Sequence, residues 1–408
     1  MLLCSDGSLY TGWTNDLAHR LKMHNSGRAS RYTRARLPVR LAYCEKHPTK
    51  RAAMQREAAI KQMTRRAKLA LIAAKNTNHL DLENELSNGG ICIMTKMITE
   101  VLNIKYPIIQ GGMAWISDAK MAAAASNAGG AGIISCGGRT TEYVRDAIRE
   151  AKKLTDKPFG ANVMLMAPNK DEIVDVICEE KPAFVTLGAG NPVPYFEKFH
   201  AAGIKVIPVV PNVKLAKRVA AKGADAMVIE GMEAGGHIGV LTTMALMTEV
   251  LPEVTDVPVL VAGGIADGRG IAAALLMGAA GVQIGTRFLV AEECPVHPNM
   301  KQKLIEAIDT DTIVTGLTLG GAVRGLKNKF SLEFVKKENE GKTPKEELIK
   351  ETTGTNKLAA VDGDVENGMM QAGQSLLPLK KIEPMKTIMD DLMAQARETL
   401  KNAANIKI

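Results

Sequence analysis

Residues 258–287, PVLVAGGIADGRGIAAALLMGAAGVQIGTR, decide the fold. Two short apolar runs, beginning at Pro258 and Gly281, each stop in glycine: Val261-Ala262-Gly263-Gly264-Ile265 and Ile284-Gly285-Thr286-Arg287. Similar apolar segments begin near Tyr106, Ala131, Phe159, Phe184, Lys205 and Ala226, so that eight recur at intervals of 21 to 32 residues. Helix-like stretches separate them, among them 118–128, 141–153 and 213–222. Unbroken apolar runs of this length suit strands buried on both faces, as in parallel sheets. Eight strand–helix units predict an α/β fold of the (β/α)8 TIM-barrel type. A doubly wound sheet, with its usual five or six strands, leaves too many segments unexplained.

Glycine-rich elements follow the strand ends: Gln110-Gly111-Gly112, Gly137-Gly138, Gly188-Ala189-Gly190, Gly235-Gly236, Gly263-Gly264 and Gly285-Thr286. In a barrel these are the active-site loops, and glycine lets the backbone approach a ligand closely. The last two follow strands seven and eight, where backbone N–H groups can cradle a phosphate. No GxGxxG follows an early strand, so a Rossmann unit is not indicated. His237 lies beyond strand six, at the end of Glu230-Gly231-Met232-Glu233-Ala234-Gly235-Gly236-His237. A histidine there can donate a hydrogen bond or move a proton near neutral pH; bracing the loop is the alternative. Asn162, at the end of strand three, can hydrogen-bond a ligand or hold a loop. Glu233 has no paired acid of the kind a glycosidase needs. His200 and His297 sit in helical or polar surroundings and read as surface or structural groups.

The 408 residues are 46% hydrophobic, 24% charged and 4% aromatic, which excludes general disorder. No run of 18 apolar residues predicts a spanning helix, and the start lacks an export signal, so a cytoplasmic protein without membrane contact is expected. The six cysteines form no CxxC and read as isolated reduced thiols. The net charge of +8 is unevenly held: residues 1–80 carry 16 Lys and Arg against four acids, whereas the rest is slightly acidic. A basic head and an acidic body suggest two units with different partners. The polar segment 76–90 ends in Gly89-Gly90 and reads as a linker. In the head, residues 8–12 suit a strand and turn, 16–24 a helix capped by Asn15, 41–43 a second strand, and 50–74 one or two helices.

The head pattern SLYTGWTNDL, followed by Arg20-Leu21, YTRAR from Tyr32 and REAAIK from Arg56, resembles the GIY-YIG endonuclease family, a small α+β domain. The resemblance places the second tyrosine motif on Tyr10-Thr11-Gly12, the catalytic arginine on Arg20 and a metal-binding glutamate on Glu57. The family's first Tyr-bearing strand is reduced here to Met1-Leu2-Leu3, which implies a depleted central strand. An active nuclease, a weak nucleic-acid binder and a degenerate appendage all remain readings of the head. A metal is expected only if the Glu57 site is intact.

The body shows a second resemblance. Its carriers are YPIIQGGMAW from Tyr106, PFGANVML from Pro158, GAGNP from Gly188, EAGGHIG from Glu233 and GGIADG from Gly263. These resemble the FMN-dependent enoyl-[acyl-carrier-protein] reductase II family within the nitronate monooxygenase (2-nitropropane dioxygenase-like) superfamily. The resemblance implies FMN over the barrel mouth, held by Gly111, Gly112, Met113, Asn162, Gly235, Gly236, Gly263, Gly264, Gly285 and Thr286, with His237 catalytic. It implies reduction of trans-2-enoyl thioesters by NADH, or NADPH, in fatty acid elongation, with acyl carrier protein as partner and a homodimer. Oxygen-dependent nitronate oxidation is the alternative within the same fold. The expected organisation is a truncated GIY-YIG-like domain over 1–75, a linker over 76–93, an FMN barrel over 94–294, and an extension over 295–408. That extension is expected to form a small helical cap on the barrel, through the segment Met369-Met370-Gln371-Ala372-Gly373-Gln374 among others.

Overall fold

The computed structural model describes residues 1–14, 17–45, 49–65, 67, 68, 71, 96–403, 405 and 406. The expected linker over 76–93, the cap at Asn15 and Cys92 lie outside these residues. The chain divides into two compact units, Met1–Met94 and Thr95–Ile408. No helix among the described residues is long and apolar enough to cross a membrane.

In the first unit, strands β1 (Leu2–Cys4), β2 (Leu9–Tyr10) and β3 (Val39–Leu41) form an antiparallel sheet in the order β2-β1-β3. Short as it is, β1 is central: Leu2 pairs with Tyr10 on one side and Leu41 on the other. Leu2 and Cys4 alternate inward and pack on Val39 and Leu41. The second long-range strand therefore runs two residues earlier than the 41–43 expected. Asn25 fixes it there, donating to the Val39 carbonyl at 3.0 Å and accepting from the Val39 N–H at 2.8 Å. Tyr43 instead packs with Met1 and Ile60, the latter from the helix Lys50–Gln62.

The second unit is the barrel. Its strands are β4 (Ile108–Gln110), β5 (Gly132–Ser135), β6 (Phe159–Met164), β7 (Phe184–Gly188), β8 (Lys205–Val210), β9 (Met227–Glu230), β11 (Val259–Ala262) and β12 (Gly281–Ile284), with the short β10 (Gly236–His237) outside the wall. They lie in the parallel order β4-β12-β11-β9-β8-β7-β6-β5. A parallel bridge between Ile109 and Ala131 closes the ring, with Gln110 N–H donating to Ala131 O at 2.8 Å. Alternate residues fill the interior: Ile109, Ile133, Phe184, Ile207, Val228 and Leu260 form one buried cluster, with Ile98 and Leu102 at the amino end. Polar side chains start the outer helices. Asp118, Thr140, Asn212, Thr242 and Asp267 each accept a backbone N–H as the chain leaves the carboxyl end of a strand.

The extension is mainly helical, as expected, and it also carries a hairpin that the sequence reading did not foresee. Strands β13 (Thr312–Thr315) and β14 (Val323–Leu326) form a hairpin, and β14 pairs antiparallel with β10. The helical stretch expected around 336–350 is two helices, Lys329–Glu340 and Lys345–Thr352, broken at Gly341 with φ 64°. The last helix, Met385–Ala403, returns to the barrel wall and packs on Gly268–Leu276 and Ala119–Asn127. The outer helical layer thus depends on chain well beyond residue 294.

Gly268 marks how closely that helix sits, since a Cβ there would stand 2.3 Å from Ala396 N and 2.4 Å from Leu392 O. Gly268→Ala is expected to destabilise the protein by about 1–3 kcal/mol, as overpacking does. Urea unfolding checks this; an unchanged midpoint would show that the helix does not dock there.

Candidate active site

The carboxyl ends of the barrel strands surround a cavity of about 360 Å3. Gly111, Gly112, Met113, Asn162, Gly235, Gly236, His237, Gly263, Gly264, Gly285 and Thr286 all line it. These eleven residues come from five separate stretches of chain and span 176 positions, and the barrel brings all of them to one place.

Each loop is set by local contacts. A buried Gln110 donates to Ser117 Oγ at 2.9 Å and accepts from Ile133 N–H at 3.0 Å, and Ser117 Oγ in turn accepts from Met113 N–H at 3.0 Å. Gly112 lies against Asn162, with room for no side chain: a Cβ would stand 2.6 Å from Asn162 Cβ. Asn162 itself donates to Thr186 Oγ1 at 3.0 Å and lines the cavity. The loop continues to Trp115, held at φ 67° beneath the Arg139 guanidinium, which lies 4.6 Å from the ring. Backbone in this region is costly for a non-glycine residue and clusters at functional sites.

Gly263 and Gly264 both adopt positive φ, 94° and 72°, which turns the chain sharply after β11. A Cβ on Gly285 would meet only Met113 Sδ, at 3.8 Å, so the backbone is open to the cavity there. The N–H groups of Gly264, Gly285 and Thr286 donate to no acceptor among the described residues. Open glycine backbone with orphan donors after the last two barrel strands fits the phosphate end of a flavin mononucleotide. Thr286 Oγ1 accepts from Gly373 N–H at 2.9 Å and keeps its own proton to donate.

His237 is held from outside the barrel. Gly236 and His237 pair with Arg324 and Val323, and Ile238 N–H donates to Ala322 O at 3.0 Å. Arg324 Nε donates to Met232 O at 2.9 Å, bracing the loop from behind. The segment around Gly373 closes over it, as Gln374 N–H donates to Glu233 O at 3.0 Å. The imidazole lines the open cavity, and partial desolvation there holds its pKa below the ordinary histidine value. It is therefore a neutral hydrogen-bond donor at neutral pH. Glu233 is a structural carboxylate: Thr243 donates to it through its N–H at 2.9 Å and its hydroxyl at 2.9 Å. His200 pairs with Asp225 at 2.9 Å and His297 caps the helix Pro298–Glu306, both away from the cavity lining.

Several cavity residues carry no role in the sequence reading, Gln283 and Glu230 among them. Glu230, the last residue of β9, lines the cavity, and burial pushes its carboxyl up to about 7. The signal was available, since an acid ends the apolar run Met227-Val228-Ile229 on the side where barrels do chemistry.

In the head, Tyr10 and Arg20 do converge. A Cβ on Gly12 would stand 3.3 Å from both the Tyr10 ring and the Arg20 guanidinium. Glu57 is paired with Lys61 at 2.7 Å. No cluster of three or more potential metal ligands occurs among the described residues.

Comparison with known proteins follows this division. Residues 95–395 match the sequence model of nitronate monooxygenase, and residues 1–70 match that of the GIY-YIG catalytic domain. The structure of FabK from Thermotoga maritima is similar at 43% identity and a TM-score of 0.74, over 76% of this chain and 99% of that one. A "(3aS,4S,5R,7aS)-5-hydroxy-7a-methyl-1-oxo-octahydro-1H-indene-4-carboxyl-CoA dehydrogenase" of Rhodococcus jostii is 32% identical over 73% of this chain and 95% of its own length. A probable nitronate monooxygenase of Staphylococcus aureus is 32% identical over 74% of this chain and 98% of its own length.

The Glu230 environment has a consequence for stability. Its carboxyl rises from an ordinary 4.5 to about 7 in the fold, so stability is lost progressively as pH rises from about 4.5 to about 7 and the full cost is present above that. Glu230→Gln removes that cost, and at about pH 8 the variant is expected to be more stable by on the order of 3 kcal/mol. Below about pH 4.5 the advantage vanishes. Thermal unfolding across that pH range checks the sign; a variant equally stable at both ends contradicts the assigned environment.

Proposed function

The chain belongs to the nitronate monooxygenase family, and from that premise we propose that it is an FMN-dependent enoyl thioester reductase working with NADH or NADPH. The observation that carries this reading is the single cavity in which the eleven expected cofactor and catalytic residues meet. Similarity at 43% identity to FabK, and at 32% to a carboxyl-CoA dehydrogenase, supports a thioester substrate. Acyl carrier protein or a related acyl thioester is the partner this reading implies.

Bound FMN would supply reversible hydride chemistry; the chain supplies everything else. Gly264, Gly285 and Thr286 would hold the phosphate through backbone N–H groups and one hydroxyl. Gly111, Gly112, Met113 and Asn162 would hold the ring system. The neutral His237 imidazole donates a hydrogen bond to the thioester carbonyl, stabilising negative charge that develops on oxygen as hydride reaches the β-carbon. The Gly373 segment, clamped between Thr286 and the His237 loop, keeps bulk water from the reacting carbon.

Nitronate oxidation is the second reading, favoured by the relatives that carry that name. Its proton demands differ: a nitronate arrives already deprotonated, whereas an enoyl thioester must gain a proton.

Anaerobic assay of NADH consumption with crotonyl thioester, set beside oxygen consumption with an alkyl nitronate, separates the two. Enoyl-dependent NADH loss without oxygen is expected; nitronate turnover that needs oxygen but no NADH, with no enoyl response, would overturn the reading. His237→Ala is expected to lower enoyl kcat/KM by about 10²–10³-fold, the usual loss for one donor to a developing oxyanion.

A further inference from the structure

The loop after β12 is gripped at two neighbouring residues by the C-terminal extension. Thr286 Oγ1 accepts from Gly373 N–H at 2.9 Å, and Arg287 Nη2 donates to Glu383 Oε2 at 3.0 Å. The second contact is a buried ion pair, its side chains only 8% and 10% exposed. Backbone bonds fix Glu383 where it stands. Its N–H donates to Val290 O at 3.2 Å, and its carbonyl accepts from Glu292 N–H at 2.9 Å. Two residues on, Met385 N–H donates to Glu293 Oε2 at 2.8 Å, where the helix Met385–Ala403 begins.

Stability alone does not account for this pair. Taking two charges out of water costs about as much as their attraction returns, and apolar side chains of similar volume do as well or better. Here the cost is raised further, because Arg287 Nη1 is buried with no hydrogen-bond partner among the described residues. The exposed Lys381 also reaches Glu383, at 2.9 Å, so the carboxylate is engaged on both oxygens while the guanidinium is not. What such a pair supplies is direction: a charge-assisted bond fixes the chain on either side of it. On one side lie Gly285 and Thr286, whose open backbone donors fit a phosphate; on the other lies the start of the last helix.

We propose that Arg287 and Glu383 are positioning residues for the cofactor phosphate, and that their ion pair couples flavin binding to the seating of the chain from Gly373 to the last helix. The role rests on the FMN reading of the cavity, not on the choice of substrate. Arg287 does not line the cavity, so it acts through the backbone it adjoins. The coupling is reciprocal: the seated segment raises FMN affinity, and FMN holds the segment down by the same factor.

Glu383→Gln and the double variant Arg287→Met/Glu383→Leu test the assignment in the full chain stripped of flavin. Fluorescence titration gives the FMN Kd, urea unfolding without FMN gives stability, and hydrogen exchange reports the helix Met385–Ala403. Glu383→Gln is expected to raise the Kd by about 10–100-fold, the usual loss when a group that orients a binding residue is removed. FMN should slow exchange in that helix in wild type and fail to do so in the Gln variant. The double variant fills the space with apolar atoms and should match or exceed the wild-type urea midpoint, yet bind FMN as weakly. A stable double variant with wild-type FMN affinity overturns the role and leaves the pair purely structural. If the double variant does not fold, Glu383→Gln decides: an unchanged Kd, or exchange still slowed by FMN as in wild type, overturns it. Wild-type protein that takes up no FMN overturns the cofactor reading itself, and this role with it.

Discussion

The pairing of Gly236-His237 with Val323-Arg324 is the contact on which the site depends. It joins a barrel loop to a hairpin nearly ninety residues later and turns a glycine-rich segment, otherwise free to move, into a short strand. His237 gains a fixed backbone, Arg324 reaches the Met232 carbonyl, and the chain returning through Gly373 meets Thr286 on the opposite rim. Without this pairing the barrel would still close, because its ring of hydrogen bonds and its filled interior need no help from the extension. It would lack a wall for the cavity and a fixed direction for the imidazole.

The barrel was legible because its signals are local. Each of the eight expected segments begins within two residues of an observed strand, since a strand buried on both faces must be an unbroken apolar run. The loop glycines were legible for the same reason: each follows a strand end, and barrel geometry converts that position into a place at the cavity. What the sequence hid was long-range. Nothing in Val323-Arg324 announces a partner at Gly236, and the helix Met385–Ala403 gives no sign that it completes a wall begun nearly three hundred residues earlier. Glu230 was hidden differently. Its type and position were visible, but its lack of partners is a property of the space around it.

The head is a lesson in how little strand suffices. Three residues, Leu2–Cys4, hold the centre of its sheet because both neighbours pair with them and Asn25 pins the far edge. Tyr10 and Arg20 meet over Gly12, while Glu57 pairs with Lys61. The basic charge of this unit and the mild acidity of the barrel belong to separate folds.

The barrel account turns on whether the cavity transfers hydride to carbon. The most direct measurement is one turnover without NADH: photoreduce the FMN-loaded protein anaerobically, add crotonyl thioester, and follow the visible absorbance of oxidised flavin. The account predicts that the absorbance returns in the absence of oxygen, with stoichiometric formation of the saturated thioester. Absorbance that stays bleached until air is admitted would contradict it.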